Sequence, residues 1–183
     1  MNTWVAVVIV SMLALSSNAN ADQTDPRLQA LFTQLRVATS SDGAAGTERA
    51  IWDIWTTASD EQAQQLLDRG MQRLAAQQFD EAIALFTEVI RVAPTFAEAW
   101  NKRATAHFLL RELAQSVKDI RQTLTLEPRH FGAMSGLGLI FLHQRDADAA
   151  LKAFRQVIEI HPHASGARAR IDMLQRFLRR QAV

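Results

Sequence analysis

The chain has 183 residues, of which 48% are hydrophobic and 21% are charged, with a formal net charge of +1. This composition supplies enough apolar side chains for a buried core and argues against a disordered chain. The sequence contains no cysteine, which excludes disulfides, thiol catalysis and cysteine-ligated zinc.

The first 21 residues differ in composition from the rest of the chain. They contain no Asp, Glu, Lys or Arg, and the run from Trp4 to Leu15 is almost entirely apolar. A run of about 12 apolar residues is too short to span a bilayer as a helix, but it fits a secretory signal that ends in the Ala-x-Ala triplet at 19–21. We therefore predict cleavage after Ala21 and export, with a periplasmic mature chain that begins at Asp22. The alternative is an uncleaved amphiphilic anchor, because no basic side chain precedes the apolar run.

The segment 22–60 is predicted to form a helical hairpin. Asp25 and Pro26 are typical of a helix start, and leucine and phenylalanine then recur at helical spacing. A turn-rich stretch at 39–43 separates this helix from a second one that ends near residue 57. We interpret the hairpin as a lid over the first repeat, with Trp52 and Trp55 in the shared core. A ligand-binding aromatic platform is the alternative for this tryptophan pair.

Three prolines, Pro94, Pro128 and Pro162, recur at equal spacing along the chain. Each ends an amphipathic block that is typical of a helix, a short turn and a second helix, because proline cannot continue a helical ladder. A fixed period of about 34 residues indicates a stacked array rather than a domain built around one catalytic pocket. The three blocks align without a gap, at residues 63–96, 97–130 and 131–164.

Residues at fixed places in the blocks resemble the tetratricopeptide repeat. The pattern Ala-x-x-x-Phe, followed eight residues later by Pro, occurs at 82–94 and again at 150–162. The middle block has Ser116 and Ile120 in the Ala and Phe places. The resemblance implies an all-α solenoid of three helix hairpins, preceded by the N-terminal helical hairpin and closed by a C-terminal capping helix over 165–183.

The pattern of small residues predicts how the helices pack. Gly70, Ala104 and Gly138 should let the two helices of each repeat approach closely. Three arginines stand at family places that are usually apolar, and we expect their stems to cover apolar neighbours while their heads reach solvent or a carboxylate. These are Arg69, Arg73 and Arg103.

Charge is distributed unevenly along the chain. Residues 22–60 carry three Arg against six acidic residues, whereas residues 165–183 carry five Arg against Asp172. Because only the tail is basic, we interpret it as a solvated cap helix and expect no nucleic-acid partner. Head-to-tail association of copies is a hypothesis that this asymmetry suggests.

The resemblance also implies a concave groove lined by the first helix of each repeat. Gly132 and Gly136 stand where a carboxylate clamp of this family requires basic residues, so we predict that the clamp is absent. Packing against neighbouring helices is the alternative role for some residues at the groove places. The groove places are occupied by Leu67, Met71, Asn101, Lys102, Thr105, Ser135 and Leu139.

No catalytic or metal-binding signature accompanies the repeats. The pairs His161/His163 and Glu127/His130 fall at repeat-end turns, where we expect exposed side chains, and they form no convergent ligand set. His107 occupies a place that usually holds a packed aromatic, so we expect a partly buried histidine.

We therefore expect an adaptor that holds a protein segment in its groove, not an enzyme, and without a cofactor or metal. The alternative is a structural accessory subunit, or a self-assembling component that uses the convex face or the ends. Replacing Asn101 and Lys102 with Ala is expected to weaken partner binding without changing helicity.

Overall fold

The computed structural model describes residues 22–181, so the predicted signal segment at 1–21 lies outside the described residues. None of the helices in the described part is long and apolar enough to cross a membrane. That part is built from α-helices alone. They are α1 (Arg27–Val37), α2 (Ser41–Trp55), α3 (Glu61–Ala75), α4 (Phe79–Val92), α5 (Ala97–Leu109), α6 (Leu113–Leu126), α7 (Phe131–His143), α8 (Ala147–Ile160) and α9 (Ser165–Gln181).

Side-chain caps set the start of several helices. Ser40 accepts a hydrogen bond from the backbone N–H of Gly43 at 3.1 Å, and Asp60 accepts one from Ala63 at 2.7 Å. Such caps satisfy N–H groups that have no partner within the helix. Because Ser40 is a good cap, α2 begins inside the stretch 39–43 that the sequence suggests is a turn.

Close packing within each repeat follows the prediction from the small residues. A Cβ added to Gly70 would lie 2.5 Å from the ring of Phe86, and one on Gly138 would lie 2.7 Å from the ring of Phe154. The helices α3 and α4, and equally α7 and α8, therefore touch at distances that a larger residue would prevent. In the middle repeat, the Ser116 hydroxyl donates to the Ala104 carbonyl at 2.8 Å.

The first helix of each repeat is followed by a residue in the left-handed backbone region. Gln77, Arg111 and Arg145 have φ angles of 59°, 65° and 62°, and they occupy equivalent places in the three blocks. Glycine adopts this conformation without penalty, whereas a Cβ costs about 1–2 kcal/mol. The three turns thus repeat the same strained backbone with non-glycine residues.

The N-terminal hairpin packs on the third repeat, so the prediction of a lid over the first repeat is wrong. The helices α1 and α2 share one apolar core with α7, α8 and α9, in which Trp55 and Phe131 meet. The second core cluster, formed by the first repeat and the start of the second, contains no residue of α1 or α2.

Polar contacts show that the hairpin follows the edge formed by the repeat-end turns. At the first turn, the N–H of Ala97 donates to Gln23 at 3.1 Å. At the second turn, Arg129 donates to Gln29 at 3.3 Å. At the third turn, the Nε2 atom of His163 lies 2.8 Å from the Ala38 carbonyl. The hairpin therefore contacts all three turns that the prolines mark.

The helix α9 covers the end of the array largely as predicted. Ala167, Ile171 and Leu174 are buried against the third repeat. Four of the five arginines are exposed, but Arg170 is half-buried and its guanidinium lies 5.7 Å from the Phe154 ring centre. The outer face of α9 leaves two large apolar side chains in solvent, Met173 and Phe177, which are 46% and 48% exposed.

We predict that Gln77→Gly will raise the free energy of unfolding by about 1 kcal/mol, because it removes a Cβ from a left-handed position. Urea unfolding followed by circular dichroism would measure the change. The control is Gln72→Gly, another exposed glutamine but within α3, which should lower stability by about 1 kcal/mol. Destabilisation by Gln77→Gly would contradict the prediction.

Candidate functional site: a groove bordered by the N-terminal hairpin

The concave surface between α5 and α7 carries a cavity of about 180 Å³. Small side chains on α7 keep it open, since a Cβ on Gly136 would meet only the tip of Ile120, at 3.4 Å. The lining combines hydroxyl, amide and apolar groups. It includes Asn101, Thr105, Phe108, Ser135, Gly136 and Leu139.

A second cleft, of about 300 Å³, continues this cavity towards α9. The two spaces share Gly132, Ser135 and Leu139. The far walls of the cleft are α2, which contributes Trp52, and the first turns of α9. We call the two spaces together the groove, and the part next to α9 the α9 cleft.

Four of the seven residues predicted to line the groove do so in the structure, namely Asn101, Thr105, Ser135 and Leu139. Leu67 is 1% exposed and belongs to the core between the first and second repeats, so it is unavailable to a partner. Met71 is exposed but lines neither cavity.

Asn101 and Lys102 have a structural role that the sequence did not reveal. The amide of Asn101 donates to Oε2 of Glu98 at 2.9 Å, and Nζ of Lys102 lies 3.0 Å from Oε1 of the same carboxylate. Glu98 is fully buried, so removing two of its partners would leave a buried charge with weaker compensation. These contacts lead us to expect that the double alanine substitution destabilises the fold, in contrast to the sequence-based expectation of unchanged helicity.

His130 completes the environment of Glu98. Its Nδ1 accepts a hydrogen bond from the N–H of Ala133 at the start of α7, at 3.1 Å. The ring hydrogen therefore sits on Nε2, which donates to Glu98 at 2.9 Å. Burial would raise the pKa of the Glu98 carboxyl, but the hydrogen bond from His130 and the charge of Lys102 outweigh it and lower the pKa below its ordinary value of 4.5.

The tryptophan pair connects the hairpin to this cluster. Trp55 is buried and stacks on His130, with ring centres 4.1 Å apart and planes 7° apart. Trp52 lies over Gly132, where an added Cβ would be 2.6 Å from the indole ring. The predicted core role is right for Trp55, whereas Trp52 is half-buried and also forms a wall of the α9 cleft.

The expectation of exposed side chains at the repeat-end turns is wrong for three residues. Glu127, His130 and His161 are all buried, because the hairpin covers the edge where these turns lie. Glu127 accepts hydrogen bonds from Arg129, and His161 contacts Glu48 of α2 at 3.1 Å. A buried ionisable residue at a turn implies that another helix or segment covers that turn. The sequence alone did not indicate that the N-terminal hairpin covers these turns.

Four ionisable residues of the second repeat form a compact network, namely Arg103, His107, Glu112 and Asp119. Arg103 makes two hydrogen bonds to Asp119, at 2.7 and 2.8 Å, so its head reaches a carboxylate as expected. His107 is partly buried and lies 2.6 Å from Glu112. Within residues 22–181, no group of three or more His, Asp or Glu is placed to hold a metal ion.

Comparison with known proteins agrees with this architecture. The sequence profile of the tetratricopeptide repeat matches residues 67–120 and 110–165. A TPR repeat-containing protein of Rhizobium etli is 30% identical over 148 residues, which cover 81% of this chain and 72% of that protein. The chain belongs to the tetratricopeptide repeat family.

Two other similar proteins match a smaller part of this chain. The small glutamine-rich tetratricopeptide repeat-containing protein 2 of Saccharomyces cerevisiae is 35% identical over 98 residues, 54% of this chain but 28% of that protein. The first TPR of Spaghetti (RPAP3), solved bound to an HSP90 peptide, has a TM-score of 0.61 and 23% identity. The match covers 64% of this chain and 94% of that one. At this identity the likeness shows the fold alone.

We predict that Glu98→Gln will lower the free energy of unfolding at pH 7 by about 1.5–3 kcal/mol, the size of a charged hydrogen bond. The folded pKa of Glu98 lies below 4.5, so the carboxylate stabilises the fold above that pH, and this contribution is lost as the pH falls through the folded pKa. The difference between variant and parent should therefore shrink on acidification.

Urea unfolding across the acid range would test this prediction. Glu159→Gln, at an exposed site on α8, is the control and should leave the pH profile unchanged. A constant difference between Glu98→Gln and the parent at every pH would show that the charge of Glu98 does not stabilise the fold.

Proposed function

We propose that this protein is an adaptor that holds a segment of another protein in the groove. The observation that supports this most directly is the open trough along α7, where Ser135 and Gly136 present little side chain. An extended or helical segment can approach the backbone closely there, and Leu139 and Phe108 offer apolar contact.

The family likeness supports a peptide ligand in general terms. The first TPR of Spaghetti (RPAP3) is solved bound to an HSP90 peptide. In this chain, Leu67 and Met71 occupy the first two places of the family's carboxylate clamp, and glycines occupy two basic places. The proposed ligand is therefore held by other residues, and Asn101, Thr105, Ser135 and Leu139 are the proposed contacts. No catalytic step, cofactor or metal is part of this proposal.

The cellular location is part of the proposal. An apolar run without charged residues, followed by an Ala-x-Ala triplet at 19–21, supports export to the periplasm and cleavage after Ala21. The partner would then be a protein that has a periplasmic segment.

We expect Gly136→Arg to weaken peptide binding by about tenfold or more, because its side chain would fill the groove. Short random peptides are displayed, selected on the purified protein, and the tightest is measured by fluorescence anisotropy. Gly46→Arg is the matched control, since Gly46 is also helical, has open space around it and lies outside the groove.

The control should change the affinity by less than about twofold. Equal affinity of the parent and Gly136→Arg would place the binding surface elsewhere. A selection that yields no binding peptide would contradict the adaptor function itself.

Self-assembly is the second candidate, and one observation favours it. The exposed Met173 and Phe177 border an apolar cleft of about 410 Å³ beside Leu142 at the end of the solenoid. Exposed apolar side chains that cluster in this way often mark an association surface. The unequal charge of the two chain ends supports it less, because the fold places the acidic hairpin against the third repeat and α9 of the same molecule.

If this end of the solenoid associates, the mass measured by light scattering will rise with concentration, and Phe177→Ser will keep the protein monomeric because it removes exposed apolar area. Val37→Ser, at an exposed apolar site on α1, is the control and should behave like the parent. A constant monomer mass over the concentration range would remove this candidate.

A further inference from the structure

The α9 cleft differs from the rest of the groove in its charged and polar lining. It contains Arg170 and the first residues of α9 on one side, and Glu48 of α2 on the other. His161 and His163 line it from the turn that precedes α9. It is continuous with the groove through Ser135 and Leu139, so a segment that lies along α7 can reach it.

Arg170 is the first reason to expect an anionic ligand there. Lys102, Gly136 and Arg170 recur at the interval of the prolines and occupy the same place in α5, α7 and α9. Lys102 is neutralised by Glu98 at 3.0 Å, and Gly136 has no side chain. Among residues 22–181, no carboxylate oxygen lies within 4.0 Å of the Arg170 guanidinium, which instead donates to the Gly166 carbonyl at 2.9 Å.

The position of Arg170 strengthens this argument. The side chain is half-buried, and its guanidinium lies over the Phe154 ring, where water can solvate it only in part. The bond to Gly166 holds it near the start of α9. The N–H groups at the start of a helix favour negative charge, and the first turn of α9 contains no acidic residue that could use them.

His161 gives an independent indication of a missing ligand. The residue is 2% exposed and lines the cleft. Its Nε2 lies 3.1 Å from Glu48, but its Nδ1 is buried without a hydrogen-bond partner in the described part of the chain. With the ring hydrogen on Nε2 facing Glu48, Nδ1 is an acceptor. A buried acceptor without a partner is costly, and an N–H group of a bound segment, not its carboxylate, could satisfy it.

The carboxylate of Glu48 shows that the cleft already accommodates one acidic side chain. This side chain is presented by a helix, α2, and it reaches the cleft at His161 without pairing with Arg170. We propose that the α9 cleft binds an Asp or Glu side chain of the segment held in the groove, with Arg170 as its charged partner. This inference rests on the proposed function, because it assumes a segment in the groove.

The test uses the peptide selected above and a version in which each Asp or Glu is replaced in turn by Asn or Gln. Arg170→Gln should weaken binding of the acidic peptide by about tenfold. Arg170→Gln should hardly change the affinity for the peptide in which the contacting Asp or Glu is replaced by Asn or Gln. Arg179→Gln, at an exposed site on the same helix, is the matched control and should change neither affinity.

Several outcomes would overturn the inference. One is that Arg170→Gln weakens the affinity for both peptides equally, which would mean that Arg170 only supports the fold. Another is that Arg170→Gln changes the affinity for neither peptide. Selected peptides without any acidic residue would also contradict it. If amidation of the peptide's C-terminus alone abolished the sensitivity to Arg170, the site would bind a terminal carboxylate instead.

The failure of this inference can be distinguished from the failure of the proposed function. If Gly136→Arg abolishes binding while Arg170→Gln does not affect it, the groove binds a segment but the α9 cleft does not bind its acid. If Gly136→Arg has no effect, the groove itself is not the binding surface. Melting curves of each variant would show that the fold is retained.

Discussion

The stacking of Trp55 on His130 is the contact on which the arrangement of the chain depends. The His130 imidazole donates a hydrogen bond to the buried Glu98 through Nε2, and its Nδ1 caps the N-terminus of α7 by accepting from the N–H of Ala133. One side chain thus joins the hairpin, the second repeat and the third repeat. Glu98 is buried, so only the groups around it can stabilise its charge. One of those groups is His130, on which the hairpin packs through Trp55. The position of the hairpin and the packing of α5 beside α7 are therefore coupled.

This contact also decides which part of the concave surface remains open. Trp52 lies three residues before Trp55 and covers Gly132, at a distance that no Cβ would permit. By the family resemblance, Gly132 stands where a carboxylate clamp would need a basic residue, and Trp52 of the hairpin covers this position. A longer side chain at residue 132 would collide with this indole, so the proposed ligand would be held by Ser135, Gly136 and Leu139 beyond it.

Much of the solenoid could be predicted from the sequence, because its signals are local and repeated. The evenly spaced prolines and the small residues Gly70 and Gly138 predict close helix packing within the first and third repeats, and the structure confirms it. The rings that lie against these glycines, Phe86 and Phe154, are seen only in the structure. The residues that line the groove could be predicted in part, because they too recur at fixed positions in the repeats. Leu67 was misplaced because an apolar residue on a first helix can face either the groove or the next repeat, and periodicity does not distinguish these faces.

The position of the hairpin could not be predicted, because it depends on contacts between residues far apart in sequence. Trp55 and His130 are separated by more than two repeats, and nothing local indicates that they meet. The burial of Glu127, His130 and His161 follows from that position, so all three errors have one cause. A set of ionisable residues recurring at turns of a repeat array is the signal that could have suggested a covering element.

The folded-back hairpin also changes the meaning of the charge asymmetry. In sequence, an acidic front and a basic tail suggest that one copy could attract another. In the structure the two ends are neighbours, and Glu48 of the front reaches His161 beside the start of α9. Glu48 thus pairs with His161 rather than with the Arg170 guanidinium, which lines the same cleft. The hairpin therefore brings negative charge to the tail but, within residues 22–181, places no carboxylate within 4.0 Å of this half-buried cation, and that is the observation behind the proposed acidic ligand.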